Sequence, residues 1–221
     1  MSHLHIPDGL LPVWAWASGL VLVLALLAIS GRSLTPQRIA YQGALGGLML
    51  ATNALPLGPL EYHLTLAGPV GILLGPRGGV QAAFAVSSIL ALMGHGGLTV
   101  VGLNALVLGT GSAVAFACYG MLARALRPAW AMAWATAAGQ ALAGALWMVI
   151  TGWSLKGPSA PGGAPGLLRL ELLAGLALPL WLLGIAVESV VAFGVGRFLE
   201  RVHPALLPPP TFRALAPTEV A

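Results

Sequence analysis

The chain has 221 residues, 58% of them hydrophobic and 7% charged, with a mean hydropathy of +0.91. A water-soluble domain carries roughly 25% charged residues to cover its surface; ten basic and six acidic side chains therefore exclude a soluble globule and leave lipid as the main solvent. The single cysteine, Cys118, excludes an internal disulfide scaffold, and ten cations spread over the whole length form no basic patch for nucleic acid despite a pI near 10.0.

In chain order, Met1–Pro12 contains no Lys or Arg and so lacks the basic start of a signal peptide. Seven apolar runs follow, uncharged except for Glu188 in the last: Val13–Ser30, Ile39–Ala54, Leu64–Pro76, Val80–Met93, Leu98–Ala123, Pro128–Trp153 and Leu172–Gly196. A bilayer core of about 30 Å takes roughly 20 apolar residues per helix. The third run, thirteen residues long, rises only about 20 Å, and Pro69 and Gly75-Pro76 interrupt it. Residues 64–93 thus read either as two short tilted helices or as a hairpin that turns back within the membrane. The stretch Lys156–Gly166, with three prolines and four glycines, is a loop, and the prolines after Arg201 predict an extended, solvated tail. The thirty glycines suit close helix packing in a membrane.

Charge sets the expected orientation. With the N-terminus outside, Arg32, Arg38, Arg77, Arg124, Arg127, Arg197, Arg201 and Arg213 fall on inner loops, and only Lys156 and Arg169 on outer ones. The expectation is an all-α integral membrane protein with seven transmembrane helices, N-terminus outside and C-terminus cytoplasmic. Residues 1–203 form one polytopic unit opened by an outer segment, 1–12, and residues 204–221 a Pro-rich cytoplasmic tail.

That topology gathers His3, His5, His63 and His95 on the outer face, with Asp8 and Glu61, and leaves only His203 inside. Each histidine alone reads as a solvated or hydrogen-bonded interfacial side chain; four converging from three segments point to a divalent transition metal. The start of the chain adds to this. A free α-amine, deprotonated backbone amides and an early imidazole wrap a metal in fused chelate rings, a square-planar set that suits Ni(II) or Cu(II) rather than tetrahedral zinc. Met1-Ser2-His3 has that spacing, and so does Ser2-His3 if Met1 is removed. No HExxH, GxSxG or phosphate-loop motif is present, so neither hydrolysis nor nucleotide binding has residues to carry it. Asn104 and Glu188 are polar groups inside apolar runs and should face the bundle interior: Asn104 as a brace behind a ligand, Glu188 through Arg197 or an interhelical hydrogen bond. Met49, Met93, Met121, Met132 and Met148 read as core filling. Trp14, Trp16, Trp130 and Trp153 stand near run ends, as interfacial belts do.

The run His5-Ile6-Pro7-Asp8-Gly9-Leu10-Leu11-Pro12, with Glu61-Tyr62-His63-Leu64, Leu74-Gly75-Pro76 and Gly94-His95-Gly96-Gly97-Leu98-Thr99-Val100-Val101-Gly102-Leu103-Asn104, resembles the CbiM/NikM family. These are the metal-binding S components of energy-coupling factor (ECF) transporters for cobalt and nickel. The resemblance implies a seven-helix bundle with its N-terminus tucked into the outer face. It also implies a metal site built from the terminal amine of Met1, an adjacent amide, the motif histidine (here His5) and the histidine of the second-to-third-helix loop (here His63). This sequence departs from the family in two places. Met1-Ser2-His3-Leu4 precedes the motif, so either His3 takes the amine chelate with His5 as an added ligand, or His5 keeps its place without the amine; and His95 stands where the family usually has an acidic residue. Asp8 and Asn104 fall behind the ligands.

The resemblance further implies no cofactor of its own, with Co(II) or Ni(II) as the transported substrate. The implied partners are a transmembrane T component, two cytoplasmic ATPase subunits and a small accessory membrane subunit, in a bacterial or archaeal plasma membrane. The chain itself would not be an enzyme. A self-sufficient divalent-cation channel or secondary transporter is the alternative; it would need ionisable residues along a pathway, where the membrane interior offers little beyond Glu188 and Asn104.

Overall fold

The structure is a computed structural model that describes residues 5–31, 35–56, 62–154 and 166–209, with the backbone alone at 166–170, 172–174 and 176. The described residues form six α-helices: α1 (Val13–Ser30), α2 (Pro36–Ala54), α3 (Ala67–Leu92), α4 (Val101–Leu122), α5 (Pro128–Ser154) and α6 (Gly166–Val202). No strand occurs among the described residues. Four of the helices are long and apolar enough to cross a bilayer: α1, α4, α5 and the part of α6 from Ala177 to Val202.

Local chemistry sets several of the boundaries. Pro36 occupies the first turn of α2 and the Thr35 hydroxyl accepts the Arg38 N–H, so this helix starts three residues before the apolar run suggested. Helix α6 begins at Gly166 and ends at Val202, longer at both ends than its apolar run, because Arg169, Glu171, Arg197 and Glu200 are good helix formers that end a run only by their charge. The predicted tail is not extended at its start: Pro204–Leu206 forms a 3₁₀ turn, and Leu207 packs on the buried cluster around Met132 and Tyr119. The rest of the tail from residue 210, and the loop at 155–165, lie outside the described residues.

The third and fourth runs join in α3, but Gly75 (φ 75, ψ 172) is not helical and Pro76 follows it. The chain turns back there. A Cβ on Gly79 would lie 3.3 Å from the Cα of Gly71, whereas eight residues of unbroken helix span about 12 Å. Both arms rest on Ser112 of α4, whose backbone a Cβ on Gly71 would meet at 2.5 Å. The first arm, 67–74, is about 12 Å long, far short of a 30 Å hydrocarbon core, which favours the turned-back reading over two spanning helices.

Small residues close the remaining helix contacts. Gly102 of α4 meets the backbone of Gly19 and Leu20 in α1, and Gly139 of α5 meets the carbonyl of Gly111 in α4. The outward faces stay apolar, with Val21, Leu22, Ile29, Leu182, Val190 and Phe198 all exposed, as lipid contact requires.

The antiparallel helices separate two ends of the bundle. The N-terminal segment and the α2–α3 and α3–α4 connections share one end, where Trp14 of α1 meets Trp153 of α5 edge-on, 5.3 Å between ring centroids. Trp130, at the other end of α5, packs against Phe193 with the rings tilted by 55° and their centroids 4.7 Å apart. Indole rings at both ends of α5, 27 residues and about 40 Å long, fit the two interfacial belts of a membrane helix. Arg38, Arg77, Arg124, Arg127, Arg197 and Arg201 lie toward the Trp130 end, where Arg197 pairs with Glu200 (3.4 Å) and Glu200 caps the Ala129 N–H (3.3 Å).

Candidate metal-binding end

The N-terminal segment is a plug seated in the Trp14 end of the bundle. Ile6 is fully buried, and its backbone is held by one side chain: Asn104 Oδ1 accepts the Ile6 N–H at 2.7 Å, and Asn104 Nδ2 donates to the Ile6 carbonyl at 3.2 Å. A primary amide offers one acceptor and two donors, so a single asparagine satisfies a peptide that would otherwise be buried without partners. Asp8 makes the second attachment. Its carboxylate accepts the Leu98 N–H (2.8 Å), the Thr99 N–H (2.9 Å) and the Thr99 hydroxyl. The Thr99 hydroxyl chiefly, then these amides, hold its pKa below the ordinary aspartate value against the opposing effect of burial. Gly97 makes the approach possible, since a Cβ there would lie 2.3 Å from an Asp8 oxygen.

His5 thereby faces a cavity of about 50 Å³ lined also by Asn53, Tyr62, His63, Thr65, Gln140, Trp147 and Trp181. One water needs about 10–15 Å³ of such space, so the cavity admits an ion with a few waters. His63, 6% exposed, is fixed by its Nδ1 at 2.6 Å from the Asn53 carbonyl. A carbonyl only accepts, so in the neutral ring Nδ1 carries the proton and Nε2 keeps its lone pair for a metal. The anchor is itself anchored: Asn53 Nδ2 donates to the carbonyls of Met49 (2.9 Å) and Thr65 (3.1 Å).

His95 comes to the same place by a different local device. Helix α3 ends with Gly94 at φ 82 and the His95 N–H bonded to the Leu90 carbonyl at 2.8 Å, the six-to-one bond of a Schellman cap. Its ring stands 5.8 Å from that of His63, centroid to centroid, tilted by 53°.

The structure thus brings His5, His63 and His95 to one end and places Asp8 and Asn104 on the backbone that carries His5. It does not collect a complete ligand set: among the described residues no three His, Cys, Asp or Glu side chains are grouped as an ion site. Met1 and His3 lie outside the described residues, as does Glu61, so both versions of the amine chelate stay open. Tyr62 adds no anionic oxygen, because burial chiefly, with the negative charge of Glu188, pushes its phenol well above the ordinary tyrosine value. Glu188 does not pair with Arg197, which is bonded to Glu200; it accepts backbone N–H groups from Thr65 and Leu66 instead.

Sequence reasoning missed Asn53, Thr65, Gln140, Trp147 and Trp181. Asn53 and Gln140 were accessible to the rule already applied to Asn104, since each is an amide within or at the edge of an apolar run. The mid-run indoles Trp147 and Trp181 carried no such signal. Of the methionines, Met49 and Met132 fill the core as expected, Met148 lines the cavity, and Met93 and Met121 are exposed.

Comparison with known proteins bears on this site. The CbiM family, described as a cobalt uptake substrate-specific transmembrane region, matches residues 5–206. A crystal structure described as a transition metal transporter superimposes with a TM-score of 0.76 at 19% identity, covering 90% of this chain and 93% of its own. A truncated transition metal transporter superimposes with a TM-score of 0.75 at 19% identity, covering 89% of this chain and 98% of its own. At that identity the two structures establish a shared fold. No curated protein matches. Because the match takes in the docked N-terminal segment, all six helices and the turn after them, the chain belongs to the CbiM family of cobalt uptake transmembrane regions.

Proposed function

We propose that this protein is the substrate-capture subunit of an ECF-type importer, binding Co(II) or Ni(II) at the histidine end of the bundle. The observation that carries the reading is His63: its Nδ1 is occupied by the Asn53 carbonyl, and its ring lines an ion-sized cavity that His5 also lines. The reading adds the terminal amine of Met1 and His3, which precede the docked segment in the sequence, as further nitrogen donors. Nitrogen donors with no thiolate or carboxylate among the described lining residues suit Co(II) and Ni(II) better than hard cations such as Mg(II) or Ca(II).

In this reading the histidine end faces outside and the arginine-rich end faces the cytoplasm of a bacterial or archaeal plasma membrane. The chain carries no ATPase of its own; two cytoplasmic ATPase subunits, a transmembrane T component and a small accessory membrane subunit complete the importer. A groove of about 390 Å³ between α2 and the second arm of α3, walled by Gly43, Gly46 and Gly47, is where we place a T-component helix.

Isothermal titration of purified protein with Ni(II) and Co(II) tests the site. Saturable binding is expected, abolished by His63→Ala and by a short extension of the N-terminus. Tight binding that survives both changes would refute the assignment. Metal uptake by vesicles holding this chain alone, without any ATPase, would refute the importer role and favour a self-sufficient transporter.

A further inference from the structure

Glu188 is the only fully buried carboxylate among the described residues, 0% exposed and midway along α6. Its oxygens accept the backbone N–H of Thr65 and that of Leu66, the latter at 3.2 and 3.3 Å. A carboxylate inside a membrane protein is costly unless neutralised or fully hydrogen-bonded. Here two backbone N–H groups at the positive end of α3, that of the N-cap Leu66 and that of Thr65 just before it, take the place of a cation.

The segment that receives this carboxylate is the one that carries His63. Residues 63–66 are gripped from three helices at once: Asn53 of α2 donates to the Thr65 carbonyl, Gln140 of α5 donates to the Thr65 hydroxyl, and Glu188 of α6 accepts from the amides of Thr65 and Leu66. Leu66 is held at φ 50, and no other non-glycine among the described residues has positive φ. Side chains with a Cβ rarely adopt that conformation, and it persists only where the surroundings impose it. Here the imposing contact is the Glu188 carboxylate on the Leu66 amide.

We infer that Glu188 is a positioning residue for the metal ligand His63, acting through the backbone of Thr65 and Leu66. This rests on the reading of His63 as a ligand. Without the carboxylate, two amides at the start of α3 lose their acceptors, Leu66 relaxes from its left-handed conformation, and the imidazole three residues earlier moves relative to His5. Coordination tolerates displacements of only about 0.2 Å, so that movement is read directly as lost affinity.

Glu188→Gln tests the inference, since it keeps the shape but substitutes an N–H₂ donor where backbone donors already point. We expect a folded, monodisperse protein whose Ni(II) dissociation constant by calorimetry rises about 10–100-fold, the usual range for loss of a group that orients a ligand, with a displaced Ni(II) visible absorption band. Glu188→Asp, which retains the charge, should recover part of both. A purely structural role would instead lower the folded fraction and leave the constant and the band of the remaining protein unchanged. A wild-type constant and band in Glu188→Gln would overturn the inference; if that variant does not fold, the same readouts on Glu188→Asp decide it, unchanged values again overturning it. Wild-type protein that fails to bind Ni(II), or His63→Ala that binds it normally, would overturn the His63 reading and this inference together. Binding lost in His63→Ala but unaltered in the Glu188 variants overturns the Glu188 inference alone.

Discussion

Replacing Asn104 by alanine is the sharpest test of how the N-terminal segment is held. Burying Ile6 contributes about 1.5–3 kcal/mol, no more than the ordering of one or two residues of backbone costs at about 1–2 kcal/mol each. With Leu11 also buried in the same cluster, the segment stays docked through apolar contacts and hydrogen bonds together, so loss of the bonds weakens it measurably. Asn104→Ala removes both bonds to the Ile6 peptide, at 2.7 and 3.2 Å, and leaves a buried N–H and a buried carbonyl unpaired. Two such bonds are worth about 2 kcal/mol net. Docking this marginal passes the loss on to binding, because affinity falls with the fraction of molecules in the competent state. The expected result is a rise of roughly thirtyfold in the Ni(II) dissociation constant, since about 1.4 kcal/mol is a factor of ten. Hydrogen exchange at the Ile6 amide should rise by a similar factor even without metal. Both are measurable on detergent-solubilised protein by calorimetry and mass spectrometry. An unchanged exchange rate at Ile6 would refute the role assigned to Asn104, whatever the metal affinity does.

Three further outcomes follow from the same geometry. Gly71→Ala places a methyl group 2.5 Å from the Ser112 backbone, so it should destabilise the bundle by about 1–3 kcal/mol, seen as a lowered thermal midpoint; an unchanged midpoint would contradict the close contact of the α3 hairpin with α4. Asp8 has a folded pKa below its ordinary value of 3.8. Its contribution to docking is therefore complete above about pH 3.8 and is lost only as the pH falls through the lowered value. Titration of Asp8 should then contribute nothing to pH dependence between pH 5 and 8, and Asp8→Asn should reduce protease protection of the segment across that whole range; unchanged protection in Asp8→Asn would exclude Asp8 as the anchor. Gly43→Leu with Gly47→Leu should leave stability intact, because a Cβ at either position meets nothing within 4 Å, while abolishing co-purification with a T component; intact assembly would remove that groove as the contact.

Much of this architecture was legible because the bilayer imposes simple rules. Val13–Ser30 was read to the residue, since both ends of that run are marked by a helix breaker or a polar group. Boundaries set by capping or by charged helix formers were not, as at Pro36 and Gly166, because hydropathy sees only solvent preference. Asn104 was placed correctly in the interior by the cost of desolvating an amide, yet its partner, the Ile6 peptide 98 residues away, has no mark in the sequence. Glu188 shows the limit most clearly: its burial was expected, and of its two expected partners the hydrogen bond to another element forms while Arg197 does not, since Arg197 is satisfied three residues on by Glu200.

Sixteen charges in 221 residues were enough by themselves to determine a helical membrane protein, the approximate helix ends and the segregation of histidines from arginines, because hydrocarbon tolerates only satisfied backbone and few charges. The tertiary structure alone decided that residues 64–93 fold back at Gly75, that Asn53 selects the tautomer of His63, and that α2, α5 and α6 converge on four residues of loop. Those outcomes depend on which polar group meets which across the bundle, and desolvation requires a partner for each without naming it.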